Sequence, residues 1–171
     1  MSDEIKKSTE KATSLDRREL LGGTAKLATL AGLTGVGGGT AATLVGQSIL
    51  APTPGFVMYA MSAQLQGLKY VGVDLTPDFE LDEPAMLAAI AEHQPAIVYL
   101  AYPNNPTANL WDAEAMDRIV RAAPGLVVID EAYVEFAPWS ALDLVDDDSN
   151  LVVVRTYSKV WSMAAFRLGF C

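Results

Sequence analysis

The chain has 171 residues, 12 Lys and Arg against 21 Asp and Glu for a net charge of −9, 51% hydrophobic and 8% aromatic residues, and one cysteine. Such a length and apolar content describe one globular domain and exclude a disordered or disulfide-stapled chain, the more so because the single thiol is the last residue, Cys171. An acidic body lacks the basic footprint that phosphate backbones require, which argues against nucleic acid as a partner.

The charge is unevenly placed. Residues 1–48 hold six basic and five acidic groups, and residues 49–171 hold six and sixteen. The stretch 22–46 is built from small and aliphatic residues without an aromatic. Residues 1–48 therefore read as a separate segment, open to two interpretations. Arg17-Arg18 before a weakly apolar Gly/Ala-rich run resembles a twin-arginine export signal, with small residues near Thr40-Ala41-Ala42 for a peptidase; the alternative is a helix followed by a Gly-rich linker. Lys26 and repeated glycines interrupt the run that a bilayer-spanning helix needs. The linker interpretation implies the cytoplasm, the signal the periplasm.

From residue 49 the pattern is regular. Ser48–Ala51 reads as a strand, Phe56–Gln66 as a helix and Lys69–Val73 as a strand. Asp82-Glu83-Pro84 opens a second helix that ends near His93, and that histidine reads as a surface or capping residue. Three apolar runs follow, Ala96–Ala101, Leu126–Asp130 and Leu151–Arg155, with an amphipathic helix over Asp112–Ala123 between the first two. Asp146-Asp147-Asp148 reads as a solvated loop. Continuous apolar strands alternating with helices predict an α/β fold, a mostly parallel sheet with helices on both faces.

Polar chemistry stands at the carboxyl end of each late strand: Tyr102-Pro103-Asn104-Asn105-Pro106-Thr107 after the first, Asp130-Glu131-Ala132-Tyr133 at the second, Thr156-Tyr157-Ser158-Lys159 after the third. Ligands of open α/β sheets bind at such ends, so the three edges are expected to share one crevice. Beyond residue 48 only Lys69 and Lys159 are lysines. Hydroxyls beside Lys159, with Arg167 eight residues on, suit a phosphate, and an amine there suits an imine with an aldehyde. A carboxylate at a strand end suits a protonated ring nitrogen. Together these are the needs of pyridoxal phosphate.

The stretches APTPGFVMY, LTPDFELD, AIVYLAYPNNPTANLWD, VVIDEAYVEF and RTYSKVWSMAAFRLGF resemble the large domain of histidinol-phosphate aminotransferase, within the fold type I pyridoxal-phosphate enzymes. The resemblance covers residues 49–171. It implies that Lys159 bonds the cofactor aldehyde and moves the substrate proton, and that Asp130 pairs with the pyridinium nitrogen. It further implies that Asn105 and Tyr133 bind the ring's phenolic oxygen, and that Thr156, Ser158 and Arg167 hold the phosphate. Phe56 would stack on the ring, with Tyr59 close by. No metal is implied. The implied substrates are a small amino donor and a 2-oxo acid: histidinol phosphate with 2-oxoglutarate. An aromatic aminotransferase, a threonine-phosphate decarboxylase or a non-catalytic fragment are the alternatives. Relatives of this type are homodimers.

Three departures carry expectations of their own. Ala108 stands where the family's NNPTG motif has glycine, so a positive φ there would strain it. The glycines at 35–39 lack the family's Gly-Ser-Asp/Glu pattern that cradles phosphate. The family pattern also runs on beyond the equivalent of Phe170, into a domain bearing the arginine for the substrate carboxylate. A partial large domain, inactive alone, is the expectation.

Overall fold

The computed structural model describes residues 47–146 and 149–171. The readings made for residues 1–46, the export signal among them, and for Asp147 and Asp148 lie outside the described residues. Six strands form one sheet in the order β2-β1-β3-β4-β5-β6. They are β1 (Ser48–Thr53), β2 (Lys69–Asp74), β3 (Ile97–Ala101), β4 (Leu126–Asp130), β5 (Leu151–Thr156) and β6 (Gly169–Phe170). Strands β1 to β5 pair in parallel, and β6 joins β5 antiparallel through Arg155 opposite Phe170 and Thr156 opposite Gly169. The expected α/β architecture is therefore present, with one short antiparallel addition.

Among the described residues three α-helices connect the strands: α1 (Met58–Leu65), α2 (Glu83–His93) and α3 (Ala113–Ala122). The start of α1 falls two residues later than expected, because Phe56 and Val57 form the entering turn; their carbonyls accept from Tyr59 N at 3.1 Å and Met61 N at 3.1 Å. Side chains cap the other two. Asp82 accepts from Ala85 N at 3.0 Å and Asp112 from Ala115 N at 2.8 Å, each satisfying one amide that a helix start leaves without a partner. His93 sits in the last turn of α2, half-buried, with its ring 3.8 Å from Glu92.

The helices lie on both faces of the sheet, and the two-residue period of the strands decides what each face receives. Leu50, Val98, Leu100, Val127 and Ile129 pack with Met86 and Ile90 of α2 and Met116 and Ile119 of α3, all essentially without solvent contact. Each such side chain stabilises the fold by roughly 1.5–3 kcal/mol. The opposite face carries buried Ile49, Ile97 and Val128 and, around α1, an aromatic group in which Ala51 and Ala101 meet Tyr59, with Phe56, Tyr70 and Tyr99 around them.

Candidate functional site

Parallel pairing brings the carboxyl ends of β1, β3, β4 and β5 to one edge of the sheet, and a cleft of about 380 Å³ opens there. Its walls include Phe56 from beyond β1, Asn105 from beyond β3, Asp130 and Tyr133 from β4 and the turn after it, and Thr156, Ser158, Lys159 and Arg167 from β5 onward. Eight of the nine residues singled out in the sequence thus face one space.

The ninth, Tyr59, does not line the cleft. It is buried beneath Asp130 and its hydroxyl donates to Asp130 Oδ2 at 2.8 Å. The Ala132 amide donates to Asp130 Oδ1 at 3.0 Å. Two donors therefore fix the carboxylate, and each oxygen keeps a lone pair for a ligand. Tyr59 is fixed in turn, stacked on Tyr99 at 4.4 Å with planes 8° apart and edge-on to Phe56 at 5.5 Å. Burial first, and then the charge of Asp130, push the Tyr59 phenol far above its ordinary range. The same two causes push Tyr99 up to about 12. Both phenols stay protonated near neutrality, so the bond to Asp130 runs in one sense only.

Local hydrogen bonds also shape the loops on either side. Asn104 is buried and spends its amide on Pro54 O at 3.2 Å and Thr107 Oγ1 at 2.8 Å, which leaves its neighbour Asn105 to the cleft. Ala108 closes this loop with φ at 61°, the left-handed conformation expected of the family glycine. Past β5, Ser158 N donates to Thr156 Oγ1 at 3.1 Å, and Thr156 Oγ1 donates to Leu168 O at 3.3 Å. Arg167, itself at φ 51°, donates from Nη1 to Ala164 O at 3.2 Å. Lys159 Nζ lies 5.0 Å from the centre of the Tyr133 ring, a cation–π distance.

The model of the family "aminotransferase class I and II" matches residues 14–171. The chain belongs to that family. The match takes in residues 14–48, which the sequence reading had set apart. Histidinol-phosphate aminotransferase of Polaromonas naphthalenivorans is 63% identical over 128 residues, covering 73% of this chain and 35% of that protein. The crystal structure of histidinol-phosphate aminotransferase from Sinorhizobium meliloti in complex with pyridoxal-5'-phosphate matches with a TM-score of 0.67 at 31% identity, over 73% of this chain and 35% of the other. The aromatic aminotransferase from Pyrococcus horikoshii also has a TM-score of 0.67, at 27% identity, over 83% of this chain and 40% of its own. The backbone therefore does not separate these two specificities. The chain spans about 35% of the length of the curated relatives it matches.

Within this aminotransferase fold, the sequence reading missed two residues. Arg155 lines the cleft, and Glu131 behind it is buried and bonded to it. Only the carboxylate after Asp130 and the cation before Thr156 hinted at them, and their contact spans 24 positions.

Proposed function

We propose that the cleft holds pyridoxal 5'-phosphate and that the protein takes part in amino transfer from histidinol phosphate to 2-oxoglutarate, giving imidazole-acetol phosphate and glutamate in histidine biosynthesis. One observation carries the reading: a single lysine amine, a fixed carboxylate and a hydroxyl–guanidinium set share one cleft at adjacent parallel strand ends. The name of the 63% identical relative supports the substrate.

The donor set fits the cofactor's parts. Ser158 with the Arg167 guanidinium suits a phosphate dianion. Asp130 offers an anion for a protonated ring nitrogen, Asn105 and Tyr133 offer donors for a phenolic oxygen, and the Phe56 ring offers a flat wall. When bound, the cofactor supplies an aldehyde that takes up an amine and a ring that accepts electrons.

The chain's own residues do the rest. Tyr59 and Ala132 hold Asp130 so that its charge opposes that of the ring nitrogen. Lys159 would hold the cofactor's aldehyde through its amine and is the group placed to carry a proton at the substrate Cα. Phe56, in the cleft wall, would cover one side of the ring. We include a homodimer in this reading, supported by Met58, Met61 and Leu65 of α1, all exposed apolar side chains. Its location is read as cytoplasmic; a reporter fused to residues 1–48 and exported only while Arg17-Arg18 is intact would make it periplasmic.

The test is spectroscopic. The full chain incubated with pyridoxal phosphate should gain a visible imine band that Lys159→Ala abolishes, and histidinol phosphate should bleach it faster than phenylalanine does. A band that survives Lys159→Ala refutes the cofactor assignment. Equal bleaching by both amines refutes the substrate.

A further inference from the structure

Glu131 follows Asp130 directly, yet its side chain has 0% solvent exposure and no task in the chemistry above. A buried carboxylate persists only when paired and fully hydrogen-bonded. Here Oε1 accepts from Ala141 N at 2.6 Å and from Ser140 Oγ at 3.0 Å. Oε2 accepts from Arg155 Nε at 2.8 Å and lies 2.8 Å from Arg155 Nη2, which also donates to Ser140 Oγ at 2.8 Å.

These bonds join three pieces of chain. Ser140 and Ala141 end the loop that begins at Glu131 and carries Tyr133, so the carboxylate closes that loop upon itself. Arg155 stands on β5, one residue before Thr156 and four before Lys159. The Glu131 amide donates to Val154 O at 2.8 Å, which extends the β4–β5 ladder beneath the ion pair. Across this tie the Lys159 amine meets the Tyr133 ring at 5.0 Å. Among the described residues Lys159 makes no ion pair that would hold its amine elsewhere, and the backbone on the two sides of the tie sets how near the amine and the ring can come.

We propose that Glu131 and Arg155 are positioning residues that fix the Tyr133 ring against the Lys159 amine. An apolar pair of equal volume would fill the space as stably, but it would not fix direction. The fork of Arg155 and the two donors from Ser140 and Ala141 define both the place and the rotation of the Glu131 carboxylate. For its meaning in catalysis the proposal rests on the cofactor reading above, since a misplacement of about 1 Å at a reacting group costs on the order of 100-fold in rate. The geometry itself does not depend on the cofactor.

The test uses the full chain without cofactor. Its lysines are methylated reductively with carbon-13 formaldehyde, and the resonance that Lys159→Arg removes is that of Lys159. Ring current from Tyr133 should displace this resonance from those of the other lysines, and Tyr133→Leu should abolish the displacement. The double variant Glu131→Gln with Arg155→Gln leaves no buried charge unpaired, and it should at least halve the displacement while circular dichroism stays unchanged. Ser140→Ala, which keeps the ion pair, should reduce it less, and decides the matter alone if the double variant does not fold. Full displacement retained in the folded double variant, or in Ser140→Ala where that stands alone, overturns the proposal. So does a parent resonance that ignores Tyr133. A parent that shows the displacement yet never binds pyridoxal phosphate leaves the clamp standing and overturns the proposed function.

Discussion

The two faces of the sheet are made by the same strands and do opposite things. On β4, Ile129 points into the apolar layer under α2 and α3, and the next residue, Asp130, points to the aromatic face where Tyr59 meets it. On β3, Leu100 joins the first layer and Tyr99 the second. The first face is mostly aliphatic and closed to water; the second sets the phenols of Tyr59 and Tyr99 against a carboxylate at the rim of the cleft. One step along a strand separates a residue kept for stability from one kept for chemistry.

Substitutions on either side should therefore part company. The largest effect is expected for Lys159→Ala, which should abolish the imine band that pyridoxal phosphate gives the parent, since no other lysine lines the cleft. Because Lys159 is exposed, the melting temperature should stay within about a degree of the parent, a surface substitution being worth at most roughly 0.5 kcal/mol. Leu100→Ala should do the reverse. It removes a fully buried side chain at a cost of about 2–5 kcal/mol, lowering the melting temperature by roughly 5–15 °C while the cofactor affinity of the folded fraction holds.

Asp130→Asn stands between them, since the amide keeps the shape and loses the charge. The dissociation constant for pyridoxal phosphate should rise roughly 10–100-fold, the range of a hydrogen bond to a charged group, with little change in melting. Ala108→Gly should sharpen the comparison from the loop side. Relief of the left-handed strain at φ 61° outweighs the added freedom of the unfolded chain, for a gain of about 0.5–1 kcal/mol in denaturant unfolding. An unchanged midpoint would mean that the strain at Ala108 only equals the added freedom of the unfolded chain, and a lowered one that Ala108 sits there without strain.

The smallest effect near neutrality belongs to Tyr99. Its phenol rises from 10.0 to about 12 on folding, so the folded chain keeps a proton that the unfolded chain releases. That contribution is complete below pH 10 and is lost as pH climbs toward 12. Tyr99→Phe should flatten the fall in stability across this window; an equal fall in both proteins would place the alkaline sensitivity elsewhere.

Much of this was legible because it is local. Apolar runs gave the five parallel strands within one or two residues, and Asp82 and Asp112 announced their helices through capping, an interaction spanning three positions. The polar clusters at strand ends hold six of the eight expected wall residues, since chain direction alone brings such ends together; Arg167 lies eight residues past Lys159, and Phe56 came from the family resemblance. The two-residue strand β6 has too few side chains to show a period. The bond from Tyr59 to Asp130 crosses 71 positions, and nothing near Tyr59 in the chain marks its partner. For the same reason Tyr59 was assigned to the ring's surroundings when it braces the carboxylate from below. Ala108 is a different case: its backbone was foreseen from the family motif, which carries conformational information that composition does not.

The strand order also implies a sequence in time. Strands β3, β4 and β5 follow one another along the chain and lie side by side, separated by a loop with α3 and by a loop with two short 3-10 turns. Strand β1 pairs with β3 through Ile49 and Ile97, with β2 and two helices threaded between them. Closing the longer loop costs more entropy before any contact repays it, so β1 with β2, and β3 with β4 and β5, should each associate before β1 meets β3. In that order Asp130, Tyr133 and Lys159 come together early, and the Phe56 wall closes on a framework that already exists.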